Sequence, residues 1–305
     1  MGWQEAWPMS KLMIIAIGLI SLYGACGNLQ ADKVIHKEKS LYRNIEVKEA
    51  RGRRCLVFTV KRRTSRQSCI NLDRPKEVVF PYTKMTFAAL LLQDRPARIL
   101  IVGLGGGTLP KTLNQLYPDA TIDVVEIDSA VYRVAQQFFD FEEPEQMKVS
   151  ITDARVFIKR AQIRKESYDL IILDAFTGEY IPEHLMTQEF LKEVKSLLTE
   201  TGVVVANTFS TSKLYDYESV TYTSVFGNFF NFKLPVTGNR VIITGPQPLP
   251  SGKALMSRAR RLANRLAPYY INIEDFPRYM ATTADWDQSV EPMTDQYAPA
   301  NLLRR

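Results

Sequence analysis

The feature that most constrains this chain is the stretch from Arg98 to Asp128, RILIVGLGGGTLPKTLNQLYPDATIDVVEID. Its β-branched run Ile99-Leu100-Ile101-Val102 has the length and composition of a buried parallel strand. Glycines stand at Gly103, Gly105, Gly106 and Gly107, and a helical segment follows from about Leu109 to Leu116. A second apolar run, Ile122-Asp123-Val124-Val125, ends in Glu126-Ile127-Asp128. Strand, glycine turn, helix, strand and acid in that order make a βαβ unit, with the acid roughly 20 residues beyond the first turn. Glycine lets backbone approach a ligand closely, and a helix start offers unpaired N–H groups. A carboxylate at the second strand's tip can accept both hydroxyls of a ribose. The combination points to a nucleoside-type cosubstrate; an ordinary βα turn with incidental glycines is the bland alternative.

The rest of the chain supplies what such a unit needs. With 305 residues, 46% of them hydrophobic, it can bury a full core as one large domain or two unequal ones. Two histidines, His36 and His184, and three scattered cysteines make a Cys/His zinc site or a Ser-His-Asp centre a poor fit. Acid–base chemistry must then come from carboxylates, tyrosines or lysines, and no metal is called for. The net charge is +6, and much of the excess lies between Lys33 and Arg66. A solvated basic hairpin explains it better than nucleic-acid binding, since no nucleic-acid module accompanies it. An anionic membrane surface is the more natural neighbour.

That neighbour follows from the N-terminus. Lys11 precedes an apolar segment of roughly 14 residues, Leu12 to Ala25, short of the ~20 needed to span a bilayer. A cleaved signal segment (residues 1–26) fits, with Cys26 resembling the lipidated cysteine of a bacterial lipoprotein and Tyr23 departing from that pattern. An uncleaved hydrophobic terminus or an interfacial helix is the alternative. Residues 40–80 read as a small β-hairpin domain, with strands at Arg54 to Val60 and Gln67 to Leu72. Cys55 and Cys69 lie symmetrically about the turn, as a disulfide or as two unpaired core thiols. A helix is expected from Tyr82 to Gln93.

Residues 81–250 carry the nucleoside-binding fold. Helices are expected at Ser129 to Phe139 and Thr187 to Thr199. Strands are expected at Lys148 to Ile151, Tyr168 to Asp174 and Gly202 to Asn207, with an antiparallel end between Phe226 and Thr244. Residues 251–305 form a helical extension, Gly252 to Leu266, and a polar tail. Four acids, Glu126, Asp128, Asp153 and Asp174, then fall at the carboxyl ends of successive strands, where open α/β sheets bind ligands.

This arrangement resembles class I adenosylmethionine-binding Rossmann-like folds, α/β with helices on both faces of a mostly parallel sheet. With a β-hairpin domain in front, it resembles more closely the spermidine/spermine synthase family. The strings GLGGGTLP, VEID, LDAFTGEYIPEHLMTQEF and TDQYAP carry the likeness. The resemblance implies decarboxylated S-adenosylmethionine, or S-adenosylmethionine itself, as cosubstrate, a small amine as acceptor, and a homodimer. Gly103, Gly105 and Gly107 would line the sulfonium nucleoside, and Glu126, with Asp128 beside it, would hold the ribose. Asp153 would accept the adenine amino group with Ala154 adjoining, and Gln67 would reach the nucleoside from the hairpin. Asp174 matches the general base, and Tyr82, Thr177, Glu179 and Asp295 are the candidates on the acceptor side.

Departures from the family pattern fall on that acceptor side. Gly106, Thr177 and Lys84 replace acids, and Val236 lies in a motif that lacks its tyrosine. Three functions follow: an aminopropyltransferase of polyamine biosynthesis, an S-adenosylmethionine-dependent methyltransferase, or a non-catalytic nucleoside- or partner-binding lipoprotein.

Overall fold

The computed structural model describes residues 1–2, 32–60, 63–177 and 180–299. Two sheets organise them. The first is antiparallel, with β1 (Lys33–Lys39), β2 (Asn44–Ala50), β3 (Arg53–Val60) and β4 (Arg63–Asn71) in sequence order. Arg51 and Gly52 both adopt positive φ, 51° and 71°, between paired Ala50 and Arg53. That is the geometry of a two-residue hairpin turn, whose twist matches the flanking strands. Cys55 and Cys69 face each other in the β3–β4 register and are joined by a disulfide. The sheet begins at Lys33, before the expected boundary at residue 40. β1 reads KVIHKEK and leaves most of its length exposed or half-exposed, so it carries little hydrophobic pattern.

One face of this sheet docks on the larger fold. Ile45, Val47, Leu56 and Phe58 pack against Ala130, Val131, Val134 and Phe139. Burying each such aliphatic or aromatic side chain stabilises by about 1.5–3 kcal/mol. The basic residues read from the sequence as a solvated hairpin therefore belong to a sheet with one dry side.

The second sheet has eight strands. In chain order they are β5 (Arg98–Val102), β6 (Thr121–Glu126), β7 (Met147–Ile151), β8 (Tyr168–Leu173), β9 (Leu198–Phe209), β10 (Phe230–Lys233), β11 (Asn239–Thr244) and β12 (Met280–Ala281). The spatial order is β12-β10-β11-β9-β8-β5-β6-β7. β7 through β9 are parallel, while β11, β10 and β12 run antiparallel. β5 lies between β6 and β8, and its Ile99, Leu100 and Ile101 are fully buried. Chain direction across the sheet reverses at β5, so loops diverge at its carboxyl end and leave a crevice.

Helices cover both faces: α1 (Pro81–Thr86), α2 (Thr108–Leu116), α3 (Ser129–Phe138), α4 (Ala154–Ile163), α5 (Gln188–Lys195), α6 (Tyr215–Phe226) and α7 (Gly252–Leu266). Three depart from expectation. The helix expected from Tyr82 is one α turn started by Pro81, continued as a 3₁₀ segment over Phe87–Leu91. The helix after Thr187 stops at Lys195, because Leu198 already pairs with Tyr168. The helix α6 is absent from the sequence reading: its buried residues mix Glu218, Ser219 and Thr221 with Tyr222, Val225 and Phe226, so no continuous apolar stripe marks it.

Those polar groups form a buried network. Arg240, fully buried on β11, donates to Glu218 (2.8 Å), Ser219 Oγ (2.6 Å) and Thr208 Oγ1 (2.8 Å), and stacks on Tyr215. Tyr180 donates its hydroxyl to Glu218, tying the loop after β8 to the network.

Candidate active site

The glycine loop is shaped by what crosses it. Gly103 has φ +104°, and a Cβ there would stand 2.4 Å from the Asp174 carbonyl oxygen. No side chain fits between the ends of β5 and β8. Gly107 has φ +76°, and a Cβ would meet the Phe141 ring at 2.4 Å. Gly105, at φ +55°, borders the cavity, and a Cβ there would make ordinary contact with Ser68 Cβ at 3.8 Å.

Gly106 has a different reason to be small. A Cβ there would come 2.8 Å from Ser68 Oγ and 3.1 Å from the Phe139 ring. Ser68 of the hairpin sheet and the Phe139 ring fill the space a side chain at this position would need.

The cavity encloses about 270 Å³ between the two sheets. Its floor is the glycine loop with Glu126, Asp153 and Asp174, and its roof is Tyr42, Arg43, Phe58, Gln67 and Ser68 from the hairpin sheet. Glu126 is 8% exposed and holds two backbone N–H groups, Leu104 on Oε2 (3.1 Å) and Asp128 on Oε1 (3.0 Å). Burial pushes its pKa up, while those N–H donors and the Arg43 charge oppose the rise. Asp153 caps α4 by accepting from Val156 N–H, and its Oδ2 lies 2.8 Å from His184 Nε2. Burial alone would raise its pKa, but the Val156 and His184 bonds hold it below the usual carboxylate range. Ala154 lines the cavity beside it.

Asp174 is the outlier. Burial pushes its carboxyl up to about 7, opposed only by a hydrogen bond from Asn207 Nδ2 to Oδ1 at 2.8 Å. Among the described residues no donor reaches Oδ2. Tyr82 lies close enough for the Asp174 charge to raise its pKa further, after burial, but its hydroxyl donates to the Gln67 carbonyl at 3.1 Å. The Gln67 side chain turns to Ser65 (2.9 Å). Thr177 also lines the cavity, and its hydroxyl donates to the Tyr180 carbonyl. A carboxylate that is half protonated near neutrality, dry on one side and open on the other, can take a proton from a reacting group.

The structure brings Gln67, Tyr82, Gly103, Gly105, Glu126, Asp153, Ala154, Asp174 and Thr177 to this one cavity. Gly107 shapes the loop from behind. Two other expected residues are placed elsewhere. Asp128 is 2% exposed and off the cavity lining: it caps α3 through Ala130 N–H and accepts from Ser40 Oγ at 2.5 Å. Its side chain is off the cavity lining, and the bond from Ser40 makes it a clasp on the hairpin sheet. Asp295 forms a bidentate pair with Arg155 (2.7 Å to each nitrogen) and accepts from Thr187, which ties the tail across α4 and α5. Glu179 and Cys26 lie outside the described residues.

Sequence reasoning missed Arg43 and His184. Arg43 donates to the Phe176 carbonyl (2.9 Å), stacks on Phe58 (4.4 Å) and lies 3.8 Å from Asp128. In the sequence it is one cation in a basic tract, and nothing local distinguishes it. His184 stood in the LDAFTGEYIPEHLMTQEF string that carried the resemblance, so that string held its signal.

A doubly wound sheet with an acidic, glycine-floored cavity at its switch point defines a nucleoside-binding transferase architecture. The chain belongs to the spermine/spermidine synthase family, whose spermine/spermidine synthase domain matches residues 80–237. A polyamine aminopropyltransferase of Vibrio vulnificus is 52% identical over 299 residues, 97% of this chain and 99% of that one. Among solved structures, one titled a probable spermidine synthase, from Corynebacterium glutamicum, superposes with a TM-score of 0.64 at 21% identity. It covers 85% of this chain and 99% of its own. Human methyltransferase-like protein 13, crystallised with SAH, gives a TM-score of 0.56 at 25% identity over 69% of this chain and 96% of that one.

Proposed function

We propose that this chain transfers an aminopropyl group from decarboxylated S-adenosylmethionine to an amine acceptor. The acceptor nitrogen attacks the carbon next to the sulfonium, the C–S bond breaks, and methylthioadenosine leaves with the electron pair. A protonated amine has no lone pair, so the nitrogen must lose a proton before or during attack, and Asp174 takes it. Asp174 on the cavity lining, with one oxygen held by Asn207 and no described donor on the other, is the observation that carries this reading, and burial that pushes its carboxyl up to about 7 agrees with it. Glu126 holds the ribose, Asp153 the adenine amino group, and the hairpin roof excludes water so that charge pairing inside is strengthened. The full-length likeness to the Vibrio vulnificus enzyme supports the same reaction.

Methyl transfer from S-adenosylmethionine is the second reading, and Gly106 favours it. Ser68 occupies the place from which the family's aspartate would hold the donor's amino end. Calorimetry with decarboxylated S-adenosylmethionine, S-adenosylmethionine and methylthioadenosine is expected to show binding of the first and third. Silence with all three removes both catalytic readings. With putrescine or cadaverine added, methylthioadenosine as product supports aminopropyl transfer, and S-adenosylhomocysteine with a methylated amine supports the second reading.

Export is proposed from the sequence of the first 26 residues, and the Cys55–Cys69 disulfide supports an oxidising compartment. No helix among the described residues is long and apolar enough to cross a membrane. Mass spectrometry of the membrane fraction is expected to find a chain beginning at lipidated Cys26. An intact Met1 or Met9 overturns export and leaves the catalytic reading untouched. A lipidated terminus together with a silent ligand panel selects the non-catalytic reading.

A further inference from the structure

Asp174 is attached to a chain of side chains that reaches the antiparallel edge of the sheet. Asn207 on β9 donates from Nδ2 to Asp174 Oδ1 at 2.8 Å. Its own Oδ1 accepts from Asn239 Nδ2 at 3.0 Å, and Asn239 Oδ1 accepts from the Thr237 hydroxyl at 2.7 Å. The Asn239 backbone N–H in turn donates to Thr237 Oγ1 at 3.2 Å. Asn207 is 4% exposed, and Asn239 opens β11, the strand paired with β9.

An amide has an acceptor end and a donor end, and flipping it exchanges them. With Asn239 Nδ2 donating to it, Asn207 turns its oxygen there and its NH₂ toward Asp174. In this arrangement Asp174 Oδ1 accepts, and a proton on the carboxyl sits on Oδ2, the oxygen that no described donor reaches.

We propose that Thr237 and Asn239 are positioning residues for the transfer reaction: through Asn207 they hold Asp174 so that Oδ2, facing the cavity, takes the acceptor's proton. This rests on the reading of Asp174 as base. The other titratable groups lining the cavity are Tyr42, Tyr82, Arg43, Glu126, Asp153 and His184, and no hydrogen bond among the described residues runs from any of them to Asp174. Releasing Asn207 allows it to flip and accept from protonated Asp174, which favours the acid over the carboxylate. The acid limb of the rate profile then moves to higher pH.

The test compares Asn239→Leu, Thr237→Val and Thr237→Ser in the full chain. Thr237 sits in a surface turn, so its variants leave the core untouched. Two readouts are taken: the pH dependence of kcat with decarboxylated S-adenosylmethionine and putrescine, and the titration of the Asp174 carboxyl carbon by ¹³C NMR, assigned by difference with Asp174→Asn. Asn239→Leu is expected to raise both midpoints by about one pH unit, the size of one hydrogen bond to a charged group. Thr237→Val should move them in the same direction by less, and Thr237→Ser should keep the original profile. Unmoved midpoints overturn the proposal, as does a loss of rate that is equal at every pH. If the unaltered protein transfers no aminopropyl group, the proposed reaction falls. The NMR midpoint still judges the relay by itself.

Discussion

Asp174→Asn is expected to lower kcat by about 10²–10⁴-fold, the usual worth of a positioned general base, while the affinity for decarboxylated S-adenosylmethionine changes little. The amide is nearly isosteric, so the cavity keeps its shape, but it cannot take a proton. The pH profile should agree. The base works only when ionised, so kcat/KM should climb as pH rises through about 7, where burial has set the carboxyl. Stability runs the other way. A carboxyl whose folded pKa lies above its unfolded value of roughly 3.9 contributes stability that is full below the unfolded value and lost as pH rises through the folded one. Asp174→Asn removes that loss and should melt higher than the unaltered protein at pH 8. Retained turnover refutes the assignment. A lower melting point at that pH instead shows a residue needed for folding.

Arg240→Met is expected to destabilise the protein by about 3–5 kcal/mol, because it leaves Glu218 as an uncompensated charge in a dry interior. Glu218 is 2% exposed, and burial already pushes its pKa up against the opposing pull of Arg240 and the Tyr180 hydroxyl. The damage should reach the site, since Tyr180 anchors the turn that carries Thr177. Glu218→Gln combined with Arg240→Met should recover much of the loss, because no bare charge is then buried. Urea unfolding of the two variants checks this. Equal losses in single and double variants would mean that packing, and not the unpaired carboxylate, sets the cost.

The same pair shows where sequence reading runs out. Arg240 and Glu218 are 22 residues apart, on a strand and a helix, and α6 interrupts its buried apolar residues with Glu218, Ser219 and Thr221. Hydrophobic periodicity cannot find a helix whose inner side is polar over its first half. Asp128 makes a related point. It stands at a strand tip like Glu126, and only the tertiary contact with Ser40 and the cap on α3 show what its oxygens bond.

What the sequence by itself determined is local. The run around Ile99, the glycines that follow and the acids after β6, β7 and β8 specify a βαβ core with a glycine-floored, acidic cavity, because strand burial and backbone freedom are written in neighbouring residues. The tertiary structure decided which carboxylate lies buried on the cavity floor with one oxygen unpaired among the described residues, which one clasps the hairpin sheet and which cation roofs the cavity. Those roles depend on desolvation and on donors brought from distant strands: Asn207 to Asp174, Ser40 to Asp128 and Arg43 to the Phe176 carbonyl. Hydrogen bonds act over a few ångströms of space, whatever the separation along the chain.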